Sequence, residues 1–146
     1  MMRSTVLVAL AVSILAVGCA AQGSQFEKAP LRTDERVVYV YRPYSFFGSL
    51  IHPAVTCGEE TARIGPGGYH AFVMPQGKVM CSVETSESGD QVEIPADPRV
   101  HYIREEIGWG VLVGHPHLNP IDHDLAQSEI QSCCVEQAAI DLPPSP

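Results

Sequence analysis

Between residues 37 and 107, apolar positions recur in short runs broken by turn residues, a period that belongs to strands rather than helices. The run Val37-Val38-Tyr39-Val40-Tyr41-Arg42, ended by Pro43, is β-branched and aromatic, the composition of an inner strand with both faces partly covered. Further strands are predicted at 52–57, 60–64, 69–74, 78–85, 91–94, 100–107 and 109–113. In 78–85 the alternation is clean, with Val79, Cys81 and Val83 on one face and Lys78, Ser82 and Glu84 on the other. Gly65-Pro66-Gly67-Gly68 and Met74-Pro75-Gln76-Gly77 separate strands as tight turns. Seven or eight short strands make the body mainly β, a β-sandwich or a small barrel.

Near the C-terminus the period changes. Asp124 can cap a helix that begins at Leu125, with Gln127 completing a capping box. Ala126, Ile130, Cys133, Cys134 and Ala138 form its apolar stripe, so one short helix packs on the sandwich. Asp141-Leu142-Pro143-Pro144-Ser145-Pro146 holds three prolines in four residues and is expected to be a short irregular tail, 141–146.

At the other end Arg3 precedes an apolar run, 6–17. Twelve residues fall short of the roughly 20 that cross a bilayer, but they suit the core of a signal peptide. Leu15-Ala16-Val17-Gly18-Cys19 resembles the bacterial lipobox. That resemblance implies a signal peptide over 1–18, cleavage between Gly18 and Cys19, and lipid on Cys19. Several acyl chains, at roughly 0.8 kcal/mol per buried methylene, hold such a chain durably. Ala20 stands where an aspartate would retain the protein in the inner membrane, so the outer membrane facing the periplasm is the expected location. Residues 19–36, small and polar and then mixed in charge, read as a flexible tether, which leaves 37–140 as the folded body.

Composition sharpens this picture. The chain has 146 residues and a net charge of −8, and loss of the signal with Arg3 makes it more acidic still. Such a charge repels nucleic acid phosphate and anionic headgroups, so a polyanion partner is disfavoured. What remains after the signal is room for a single core.

The body resembles the DUF2846 domain of small bacterial lipoproteins and secreted proteins. The residues responsible are Val37-Val38-Tyr39-Val40-Tyr41-Arg42-Pro43, then Gly67-Gly68-Tyr69 with Pro75-Gln76-Gly77-Lys78, and later His101-Tyr102-Ile103. The resemblance spans about 37–135 and implies a compact β-sandwich, related in shape to transthyretin-like and surface-adhesion modules. It implies no catalytic residue, and Cys57-Gly58 replaces the Asp-Gly turn common in the family.

Four cysteines besides Cys19 would meet an oxidising compartment, where disulfides are the default. Cys57 with Cys81 is one candidate bridge, worth about 3 kcal/mol through the loop it closes. Its complement joins adjacent Cys133 and Cys134 and is strained, so two strand-to-helix bridges compete with it. His115, His117 and His123, or the vicinal cysteines, are the candidate zinc or copper ligands, against a solvated loop rich in Gly114, Pro116, Asn119 and Pro120. His70 and His101 read as strand residues at sandwich edges. Glu59-Glu60 and Glu105-Glu106 read as solubility charge, because neighbours on a strand face opposite ways. No serine stands in a G-x-S-x-G elbow. Tyr44, Phe46 and Phe47 follow a strand in a predicted loop that either folds over the core or binds a partner. These residues lead to a membrane-anchored, non-enzymatic interaction or structural module of the cell envelope without a cofactor, its partners the membrane and an envelope protein. A metal-binding lipoprotein is the alternative.

Overall fold

The alternation within the first body strand decides the layering. Val38 and Val40 of β1 (Glu35–Arg42) enter one apolar cluster, while Val37, Tyr39 and Tyr41 enter a second on the opposite face. Strand β1 therefore lies between two cores and is buried on both sides. The computed structural model describes residues 23–110 and 114–140. It contains the expected mainly β fold, with nine strands in two sheets and one short helix.

One sheet has four strands in the order β3-β2-β5-β6: β2 (Ala54–Cys57), β3 (Glu60–Arg63), β5 (Val79–Glu84) and β6 (Gly89–Ile94). The other has five in the order β8-β7-β1-β4-β9: β4 (Gly68–Pro75), β7 (Val100–Gly108), β8 (His115–Ile121) and β9 (Val135–Glu136) flank β1. Strand β1 runs antiparallel to β4 and parallel to β7. Val55, Ile64, Phe72, Val83, Ile94 and Ile103 fill the space between the sheets. The helix α1 (His123–Cys133) covers the outer face of the larger sheet through Ala126 and Ile130.

Arginines close both ends of the inter-sheet core. Arg36 and Arg42 share the face of Val38 and Val40, and each is turned inward at one end of β1. Their charges are held by backbone carbonyls, Gly77 and Pro95 for Arg36, Gly48 and Ile51 for Arg42. A buried guanidinium needs such acceptors, so each arginine fixes the loops that bring them.

The structure corrects several expectations. The described part of the predicted tether, 19–36, is packed onto the sheet. Gln25 bridges to Val135, and the Phe26 ring meets Tyr39 and Tyr69 edge-on, each at 5.3 Å. The Ala29 N–H donates to the Tyr39 hydroxyl at 2.8 Å. An eleven-residue helix leaves part of the tyrosine face uncovered, and Phe26 and Leu31 complete the cover. The predicted strand 109–113 is not seen at Trp109 and Gly110, which are irregular; 111–113 lie outside the described residues.

The strand paired with β7 is instead β8, within the segment read as a loop. Its prolines are tolerated for a reason visible in the geometry. The Leu118 N–H points away from β7 and donates to the Asp90 carboxylate at 2.8 Å. Pro116 and Pro120 share its parity, so the N–H groups they lack would not have joined the ladder.

The helix starts two residues earlier than expected. Asp122, directly after β8, is the cap and accepts from the Asp124 N–H at 3.0 Å, so the Asp124 cap and its Gln127 box are replaced. It also ends earlier, because Cys134 turns extended to let Val135 pair with Gly68, and Ala138 lies beyond it. His70 and His101 lie on β4 and β7, which are inner strands rather than edges.

Candidate functional site

The end of the sandwich around Arg42 collects most of the singled-out chemistry. Here β1 stops before Pro43, β7 stops at Gly108 and β8 begins at His115. Arg42 donates to the carbonyls of Ile51 and Gly48, both at 2.6 Å, and so folds the 43–53 loop around its guanidinium. Gly48 makes that close approach possible. Its φ is +72°, and a Cβ there would stand 2.8 Å from Ile107 Cβ.

With the loop backbone turned inward to Arg42, its large side chains point outward. Tyr44, Phe46 and Leu50 from this loop, with Trp109 after β7, are between 70% and 95% exposed. Phe47 packs against Trp109 with ring centroids 4.4 Å apart. Phe46, Phe47, Leu50, Ile51 and Trp109 wall an open groove of about 450 Å³. Of the two readings for the aromatic loop, its folding back over the core is excluded for Tyr44 and Phe46.

A second cavity of about 310 Å³ adjoins it, bordered by Arg42, Tyr44, Phe47, Glu105, Glu106 and His117. Glu105 is fully buried on its wall, and neither carboxyl oxygen has a hydrogen-bond partner. Burial pushes this carboxyl up to about 8, against the pull of the Arg42 charge. Burial lowers Arg42 in turn, opposed by Glu105. The adjacent Glu106 is exposed and paired with Arg104 at 2.8 Å. Reading Glu105 as solubility charge is therefore corrected. The signal was present in the alternation, since Ile103, Glu105 and Ile107 share one face of β7. Glu60 is likewise engaged, its Oε1 lying 2.6 Å from His70 Nε2, which ties the two sheets together.

The three candidate metal histidines are not gathered. His115 and His117 lie on β8, whereas His123 opens α1 with its ring 5.3 Å from Tyr102. Among the described residues no three histidine, cysteine, aspartate or glutamate side chains converge on a metal position. His115 instead approaches Glu87 at 3.7 Å, and His117 borders the Glu105 cavity.

The cysteines sort by layer. Cys57 and Cys81 face each other across β2 and β5 with Cα atoms 4.2 Å apart, their sulfurs at bonding distance. Cys133 and Cys134 pair with each other at the end of α1. The strand-to-helix alternative is overturned because the first pair lies between the sheets and the second on the far side of the larger sheet. Gly18 and Cys19 lie outside the described residues. No family model matches this chain, and the searches of curated proteins and of solved structures return no match.

Proposed function

We propose that this chain is a lipid-anchored, non-enzymatic interaction module of the bacterial cell envelope, of the DUF2846 kind, whose contact surface is the aromatic end of the sandwich. The observation that carries the reading is the exposure of Tyr44, Phe46, Leu50 and Trp109 on a loop held from within by Arg42. Large apolar side chains clustered in the open mark a surface that is covered in use. A loop bound to a buried guanidinium is preorganised, so covering it costs little ordering. Lipid on Cys19, with cleavage after Gly18, places the module on the outer membrane facing the periplasm.

Photo-crosslinking in intact cells tests this. A photoreactive residue at Leu50 is expected to give adducts, while one at Glu93, exposed on the four-stranded sheet, gives none. Equal labelling at both positions, or none at Leu50, overturns the reading. Cys19→Ala is expected to leave the precursor unlipidated.

A further inference from the structure

We infer that the aromatic end seats directly on the lipid bilayer, with Phe46, Leu50 and Trp109 entering the interface beside the acyl chains on Cys19. This rests on the lipid-anchor reading above and names what covers the exposed end. Three observations favour a lipid surface over a protein.

The first is reach. Among the described residues Ser24 is near the N-terminal limit, and its carbonyl accepts from the Glu136 N–H at 2.8 Å. Glu136 is level with Tyr69, and Tyr69 with Tyr41, one position from Arg42. Ser24 therefore lies near the aromatic end, while the opposite end of β1 at Glu35 is six positions further along. Cys19 precedes Ser24 by five residues, at most about 18 Å of extended chain. An anchor on so short a lead brings the bilayer to the near end of the sandwich.

The second is charge. Of nine basic and seventeen acidic residues in the chain, none falls between 43 and 53. On an otherwise acidic protein this uncharged loop, with Glu106 beside it paired to Arg104, is the part that meets a zwitterionic surface with least electrostatic cost. The third is chemistry. Phe46 and Leu50 are apolar throughout, and Trp109 and Tyr44 each combine an apolar ring with one polar atom, the residue types enriched where a protein meets headgroups.

Trp109 is the single tryptophan, so its fluorescence reports the seat without a label. The lipidated chain is reconstituted on phosphatidylcholine vesicles and compared with the double variant Phe46→Ser/Leu50→Ser. Both positions are exposed, so the variant leaves the core intact. For the wild type we expect a blue shift of Trp109 and quenching by lipids brominated near the headgroups. The variant should lose at least about tenfold of that quenching, since both apolar side chains that would be buried in the interface are withdrawn. A Trp109 that stays water-exposed on vesicles while Cys19 is lipidated overturns the inference. So does quenching confined to membranes that contain other envelope proteins, which would make the occupant a protein. The mass of the N-terminal peptide reads lipid on Cys19 independently, so failure of the anchor and failure of the seat give different results.

Discussion

Arg42, Glu105 and Gly48 form one unit at the aromatic end, and each is constrained by what burial does to its chemistry. The buried guanidinium of Arg42 takes the carbonyls of Gly48 and Ile51, which replace the water that burial removes from its donors. Glu105 has no donor and is held near 8 by burial. In an unfolded chain the same carboxyl titrates near 4.5, so between these values the native state binds one more proton. The contribution of Glu105 to stability therefore falls as pH rises from about 4.5 to about 8, by a few kcal/mol at most, and is level outside that window. Urea unfolding of wild type and Glu105→Gln from pH 4 to 9 checks this: the variant should lack this slope and be the more stable at pH 9. Gly48→Ala meets both a left-handed φ and Ile107, and is expected to cost about 1–3 kcal/mol, read as a lower denaturation midpoint.

Among the elements, β1 shows most directly how pattern becomes architecture. Its two faces are both apolar, so it must sit inside a three-layer arrangement, and the five-stranded sheet with α1 behind it supplies one. Glu129 docks α1 by accepting from the Tyr41 hydroxyl at 2.5 Å and from Arg104 at 3.0 Å. On the far side the Cys57–Cys81 pair locks β2 to β5 inside the inter-sheet core. Replacing both with alanine should lower stability by about 3 kcal/mol through the freed 24-residue loop, in denaturant titrations that a reductant on wild type should mimic. Strand β8 was illegible in the sequence because proline signals a break unless its missing N–H faces outward. That direction is a property of the pairing with β7, not of the residues 115–121 taken alone.

At the scale of the whole molecule, the N-terminal segment changes character. A stretch that reads as tether becomes a strap over Tyr39 and Tyr69, which shortens the lead to Cys19 from seventeen residues before Arg36 to five before Ser24. Phe26→Ala should release this strap, costing roughly 1–3 kcal/mol and making the bonds around residues 27–34 cleavable in limited proteolysis. Unchanged protection there would show that the strap is held by its backbone contacts alone.

The order of short apolar runs determined the mainly β class, most of the strands, the inner place of β1 and the presence of one C-terminal helix. These are local properties, written in period and turn chemistry within a few residues. What tertiary structure decided were the matters that depend on partners distant in the chain. The cysteine pairing followed from which side of the larger sheet each sulfur occupies. The burial of Glu105 followed from the loop that Arg42 draws across it, and the exposure of Phe46 and Trp109 from that same loop turning its backbone inward. Hydrophobicity alone cannot say whether an aromatic loop folds in or faces out, because the answer lies in the space left by residues elsewhere. At this end that space is taken by an arginine and a glutamate, and the aromatic rings are left outside.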